Sequence, residues 1–279
     1  MTGQGESATP AVRGAPPRAG SPATRPLRLF DYWLTVYRRT WRGTVFSSFL
    51  TPLLEMVAMG LLLGGFVHVP PARLDGAASY VDFVAPGMIC AQVMTTVFME
   101  VTWPVMDGVK WHKFYFSMIA SPLEVRDVVV AQLGFVLFRV ATVTAVFLLV
   151  LIPFGVYTTW WGVVVAFFVQ LLLGVAFAAP IFAFTASLKQ EDGLTLLFRI
   201  GMIPLFLFSG AFFPIGNLGP ALEWLARVTP LWQGVDVTRM LTLDHFDGVA
   251  IAYHLAYMVV LLGAGTWLAV WRLQKRLIT

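Results

Sequence analysis

Six stretches of this 279-residue chain stay apolar for about 20 residues or more, the length a helix needs to cross a bilayer. They fall at about 44–66, 81–104, 127–152, 161–187, 194–213 and 249–271. Apolar residues occupy every face of a helix drawn through them, so no face is left for water. Barrel strands alternate apolar and polar over ~10 residues, and a membrane barrel is therefore excluded. Composition agrees: 58% of residues are hydrophobic and 12% charged, about half the ~25% of a soluble domain. The expected fold is an all-α polytopic membrane protein with six transmembrane helices. An even number of crossings puts both termini on one side.

Lys and Arg decide which side. Fourteen of the nineteen lie on the face that carries the N-terminal segment, the stretch between spans 2 and 3, the short 188–193 loop and the C-terminus. By the positive-inside rule that face is cytoplasmic, which places the protein in the cytoplasmic membrane with both termini inside. Residues 1–27 are rich in Pro, Ala, Gly and Arg and are expected to form a disordered cytoplasmic tail, with the transmembrane domain over 28–279. The tail lacks an apolar core segment and is not read as a signal peptide. Over 28–42, Phe30, Trp33, Leu34, Tyr37 and Trp41 recur at helical spacing, opposite Arg28, Asp31, Thr35, Arg38 and Arg42. That pattern predicts an interfacial amphipathic helix with aromatics at the acyl boundary and arginines, Arg39 among them, near phosphates.

Asp107–Arg126 is the longest polar interruption between spans. It mixes Asp107, Lys110, His112, Lys113 and Arg126 with Trp111, Phe114, Tyr115 and Phe116. Ser121-Pro122 breaks any helix running through it. A stretch of this composition suits a membrane surface gripped by a soluble partner, and we read it as the place where force enters a transporter. Residues 208–243 are too apolar for a free loop and too broken for a span. Gly210, Pro214, Gly216, Gly219, Pro220 and Pro230 cut them into short pieces. The alternatives are helices lying flat on the outer surface or short helices dipping back into the membrane. Such backbone is tolerated at depth only when packed in protein or lining a cavity, and re-entrant half-helices capping the outer end of a pathway are the favoured expectation.

These residues carry a resemblance. FSGAFFPIGNLGPALEWLARVTPLWQGVDVTRML is similar to a signature of type-2 ATP-binding-cassette exporter permeases, with Thr229 where Asn is commoner. YVDFVAPG at 80–87 and SPLEVRD at 121–127 resemble that family's openings of spans 2 and 3. Glu55 within TPLLEM and the 107–126 stretch look closest to the nodulation lipo-oligosaccharide branch, near antibiotic-resistance permeases. The resemblance implies a permease subunit that works as a dimer, with a second copy or a related permease, and with two ATPase subunits. It implies export of an amphipathic substrate, a drug or a lipid-linked saccharide. It implies contact with the ATPase through Arg38, Arg39, Asp107, Lys110, Trp111, His112, Lys113 and Pro122. No G-x-x-x-x-G-K-[ST] phosphate loop occurs, so ATP and Mg are expected on the partner subunit and no cofactor on this chain.

Charge inside a membrane needs a partner or a task, at roughly 2.5–3.5 kcal/mol each on insertion scales. Glu55 and Arg139 each lie about 12 residues into spans 1 and 3, roughly 18 Å deep, and are expected to pair. Glu100 is expected near the inner end of span 2, meeting the interfacial arginines, and Arg199 to snorkel. Asp236 and Arg239, three residues apart, form a candidate helical pair, with Arg239 assigned to the outer re-entrant segment beside Gly210, Pro214 and Pro230. Gly60-x-x-x-Gly64 permits close helix approach, and Cys90 is expected to be a buried, inert thiol. No HExxH, G-x-S-x-G or metal-ligand spacing is present, so neither catalysis nor a bound metal is expected of the chain itself. The rival reading is an ion-coupled secondary carrier, which usually shows repeated broken helices; here the broken segment occurs once.

Overall fold

The computed structural model describes residues 25–63, 74, 77–243 and 246–278. The tail before Arg25 and the Gly64 end of span 1 lie outside the described residues. The described residues are mostly helical, joined by short turns and loops. α1 (Arg25–Glu55) passes without interruption into a wider π-helical stretch, Met56–Leu63. A boundary between interfacial helix and span near 42–44 is therefore absent, because nothing there breaks a helix: Gly43 has no neighbour within 4 Å and no proline accompanies it. Pro52, which cannot donate to the turn before it, precedes the widening at Met56.

Four helical stretches among the described residues are long and apolar enough to cross a membrane: Tyr80–Trp111, Val125–Phe154, Trp160–Ser187 and Gly248–Ile278. α2 (Tyr80–Val101) opens with a capping box, the Ser79 hydroxyl accepting from Asp82 N at 3.2 Å and the Asp82 carboxylate accepting from Ser79 N at 3.1 Å. It continues through α3 (Trp103–Met106) and a π-helical turn, Asp107–Trp111, to α4 (Phe114–Ile119). The expected polar loop is thus largely helical. Its helix stops at Ile119, just before Ser121-Pro122. α5 (Val125–Leu151) begins with a second capping box, from Glu124 and Asp127. α6 (Trp160–Ser187) is the central helix and packs on α2, α5 and the two last helices.

The fifth predicted span is a shorter run, in which α7 (Asp192–Leu196), a π-helical turn (Leu197–Met202) and α8 (Ile203–Phe208) follow one another without interruption. It ends at Phe208 rather than 213, since Gly210 takes a left-handed φ of 78°. A 3₁₀ turn (Ile215–Leu218), α9 (Pro220–Val228) and α10 (Pro230–Thr242) follow, both helices starting on a proline whose missing N–H costs nothing there. α10 is no surface helix. Leu231, Gly234, Val235, Thr238, Arg239 and Leu241 are buried against α2, α6 and α11 (Gly248–Ile278). Gly234 and Gly162 allow this: an added Cβ would sit 2.5 Å from the Leu173 side chain or 2.3 Å from the Leu241 carbonyl. Inside the bundle, Gln170 Nε2 of α6 donates to Thr238 Oγ1 at 2.8 Å and lies 3.1 Å from Cys90 Sγ. Cys90 is fully buried, as its place in a span suggests.

α1 crosses α5 on its aromatic face. Phe30 meets Phe138 edge-on at 6.3 Å, Trp33 lies 5.9 Å from Phe135, and Tyr37 meets Phe138 at 5.5 Å between ring centroids. Phe30, Trp33 and Tyr37, expected at the lipid boundary, thus pack on protein, because α5 offers rings at matching helical spacing; the side chains of Trp41 and Arg42 lie outside the described ones. The polar residues Arg28, Asp31, Thr35, Arg38 and Arg39 remain exposed.

Candidate functional site

Three sites emerge from the predicted residues, one at the end of the bundle carrying Asp107–Arg126, one inside it and one at the far end. At the first, the π-helical turn brings Lys110 and Trp111 side by side. Lys110 Nζ donates to Glu191 Oε1 at 2.8 Å and Trp111 Nε1 donates to the same oxygen at 3.1 Å. Glu191 belongs to the short loop between α6 and α7, so two loops remote in sequence are tied at one point. The Trp111 ring stacks on Trp103 at 6.0 Å and 15°. Asp107 Oδ1 lies 2.5 Å from His112 Nδ1, and the Asp107 carbonyl accepts from the backbone of His112 and Lys113, closing the turn. Lys113 then takes φ 51°, a left-handed conformation that redirects the chain into α4. Tyr115 is fully buried beneath Gly108, where an added Cβ would be 2.7 Å from its ring. Trp33 of α1 meets Phe114 of α4 at 5.6 Å. Thus α1, α4 and the 188–191 loop form one platform, while His112, Lys113, Pro122, Arg38 and Arg39 stand exposed on it.

Glu191 was not anticipated; the only sequence signal was an acidic pair, Glu191-Asp192, in a loop facing a basic one. The Lys110 ammonium, with the Trp111 indole, holds the Glu191 carboxyl below the ordinary glutamate range. A lowered pKa means that this contact favours the folded arrangement fully above about pH 4.3, the ordinary value, and is lost as pH falls through the lowered one. The difference in tryptophan emission between the parent and Trp111→Phe should hold from neutral pH to about 5 and change only below ~4. A transition at pH 5 or above would mean that the contact is not made.

Inside the bundle, Arg139 does not pair with Glu55. Its Nε donates to Glu100 Oε1 at 2.7 Å, its Nη1 to the Tyr37 hydroxyl at 3.3 Å, and its guanidinium lies 5.1 Å from the Tyr37 ring centre. Gln132, seven residues earlier on the same face of α5, donates to the Glu100 carbonyl at 3.1 Å. The equal-depth argument failed because α1 begins at Arg25 and already packs on α5 from Phe30 onward. It is already beside Arg139 at Tyr37, and Glu55 lies 18 residues farther, roughly 27 Å along the helix. Glu55 has no hydrogen-bond or ion-pair partner among the described residues. Glu100 meets Arg139 rather than the interfacial arginines.

At the far end, Arg239 is buried and clamps the broken segment. Its Nη2 donates to the Gly210 carbonyl at 2.9 Å and the Phe83 carbonyl at 3.2 Å, with the guanidinium 3.9 Å over the Phe83 ring. Asp236 points away from it, to His254 Nε2 of α11 at 3.1 Å, so the expected Asp236–Arg239 pair is not formed. The other ring nitrogen, Nδ1, contacts Gln233 Oε1, while Gln233 Nε2 donates to the Arg227 carbonyl at 2.6 Å. Thr229 caps α10, its hydroxyl accepting from Trp232 N at 3.3 Å, which explains why Thr serves where Asn is commoner. Pro230 follows that cap, and Pro214 opens the 3₁₀ turn. The arrangement contains a helix clamp at Arg239, a buried Arg139–Glu100 ion pair and a surface platform at Lys110 and Trp111.

Comparison with known proteins agrees. A family model for ABC-2 type transporters matches residues 29–243. Nodulation protein J of Rhizobium leguminosarum bv. trifolii is 26% identical over 249 residues, covering 88% of this chain and 94% of the relative. Nodulation protein J of Rhizobium leguminosarum bv. viciae is 28% identical over 210 residues, 74% of this chain and 80% of its own length. The inner membrane transport permease YadH of Escherichia coli K12 is 23% identical over 202 residues, 71% of each chain. With more than half its length matched by that model, the chain belongs to the ABC-2 type transporter family.

Proposed function

We propose that this chain is the transmembrane permease subunit of an ATP-binding-cassette exporter. It moves an amphipathic substrate, a drug or a lipid-linked saccharide, out across the cytoplasmic membrane. ATP is hydrolysed on a separate subunit, and this chain catalyses nothing and binds no cofactor. Two permease protomers work with two ATPase subunits, and both termini face the cytoplasm. The observation that carries this reading is the platform. Lys110 and Trp111 tie to Glu191, and Trp33 ties to Phe114, so a push on the 107–119 helices reaches α1, α5, α6 and α7 together. A loop pinned at several points transmits displacement; a loose one absorbs it. The family match and the likeness to an inner membrane transport permease support a role in membrane transport.

The test is co-purification of the intact chain with candidate ATPase subunits, followed by ATP hydrolysis, with Lys110→Ala, Trp111→Ala and His112→Ala alongside. Stable assembly with the parent is expected, and the first two variants should disturb hydrolysis more than His112→Ala, whose ring faces solvent. A chain that binds no ATPase yet moves solute in liposomes under an ion gradient would overturn the reading in favour of a secondary carrier.

A further inference from the structure

One face of α2 has no role in the platform or the far-end clamp. Gln92, Thr95, Thr96 and Glu100 recur at spacings of three, one and four, which places four polar side chains on one stripe of an otherwise apolar helix. Opposite them stand Thr51 of α1 and Arg139 of α5, and the six groups line a recess of about 170 Å³. That is the room of roughly five water molecules, enough for one pyranose-sized ring and too small for a chain of them. Thr51 and Met99, which also line it, are exposed, so a group entering past them leaves an attached acyl tail outside.

The chemistry inside narrows the occupant. The Thr95 hydroxyl donates to the Ala91 carbonyl at 2.9 Å and that of Thr96 to the Gln92 carbonyl at 2.8 Å. Their hydrogens are committed to their own helix, and only lone pairs face the recess. The Gln92 amide bonds nothing among the described residues. The Arg139 charge is answered by Glu100, so the recess is rich in acceptors and balanced in charge. A bare anion would have to displace Glu100, and a bare cation would meet Arg139. A neutral group bearing several hydroxyls meets neither cost.

We propose that this recess binds the uncharged, hydroxyl-rich headgroup of an amphipathic substrate, a single sugar ring with its lipid tail left in the bilayer. The proposal rests on the permease reading and adds to it a site that favours one of the substrate classes named there. Gln92 and the two threonines select hydroxyl donors; the Glu100–Arg139 pair rejects charged headgroups.

The test uses the intact chain in lipid nanodiscs, carrying Cys90→Ala and Thr95→Cys. A small hydrophilic thiol reagent is expected to label position 95. An alkyl glucoside at about ten times its dissociation constant should slow that labelling about tenfold. An alkyl sulfate and an alkyl trimethylammonium of the same tail should leave the rate unchanged, and Gln92→Leu should abolish the glucoside effect while labelling persists. Labelling only by lipid-soluble reagents would show a dry, lipid-facing groove and overturn the proposal. Equal protection by all three amphiphiles would show tail binding only, and oxidative cross-linking of two copies through position 95 would show a protomer contact; either overturns it. ATPase co-purification of the same Cys90→Ala/Thr95→Cys chain separates the two readings. Assembly without glucoside protection sinks the recess and spares the permease; failure of the parent chain to assemble sinks the permease reading itself.

Discussion

Replacing Arg139 by Gln should destabilise the protein by about 3–5 kcal/mol, the range for removing one member of a buried ion pair. The side chains of Arg139 and Glu100 are only 10% and 19% exposed, and no other cation faces this carboxylate within ion-pair distance among the described residues. Most of the loss is the cost of stranding Glu100, so Glu100→Gln combined with Arg139→Gln should recover most of it. The pair itself contributes less than either single change suggests, because desolvating two charges offsets much of their attraction. Tyr37→Phe removes one neutral acceptor and should cost about 1 kcal/mol. Glu55 supplies the control. Glu55→Gln should combine additively with Arg139→Gln to within about 0.3–0.5 kcal/mol, since the two groups share no partner. Thermal midpoints of the single and double variants in detergent give the cycle. A coupling between 55 and 139 as large as that between 100 and 139 would show that α1 sits elsewhere.

That contrast also shows what could be read before the structure. Apolar runs report helices because burial on every face leaves no other backbone solution in lipid, and α2, α5, α6 and α11 lie where the runs predicted. Breaks were legible for a similar reason. Pro220 and Pro230 begin α9 and α10, and Ser121-Pro122 follows the end of α4, since proline's fixed φ and missing donor act locally. Azimuth and crossing angle were not legible. Depth counted from a span's end places a charge along an axis, but Arg139 could meet any helix at that depth, and only the packing of α2 beside α5 brings Glu100 to it. The same limit hid Glu191. Its partners Lys110 and Trp111 lie about eighty positions away, and no local pattern joins two loops across a bundle. The polar stripe on α2 was not singled out from the sequence, because its meaning depends on Thr51 and Arg139 arriving opposite it.

The other large effect concerns a single hydrogen. Gly87 of α2 lies against the broken segment so closely that an added Cβ would be 2.3 Å from the Ala211 oxygen, 2.5 Å from its Cα and 2.8 Å from its carbonyl carbon. These are backbone atoms, and they cannot swing aside as a side-chain tip would. Ala211 is fully buried, and the chain around it is held by the Arg239 bonds to Gly210 and Phe83, one helical turn from Gly87. Two effects oppose each other in Gly87→Ala: helix propensity favours alanine by about 1 kcal/mol, and overpacking costs typically 1–3 kcal/mol, more where backbone must move. The contact wins, so Gly87→Ala should lower the thermal midpoint and Gly87→Val should lower it further. Both should speed amide exchange over 209–219, because the segment must lift from α2 to admit the new carbon. Gly43→Ala isolates the propensity term, for Gly43 has nothing within 4 Å, and it should be neutral or stabilising. Arg239→Met should reproduce the faster exchange by releasing the same carbonyls from the other side, without adding bulk at position 87. If Gly87→Val leaves both midpoint and exchange unchanged, the broken segment does not pack on α2, and α10 is not anchored at that end of the bundle.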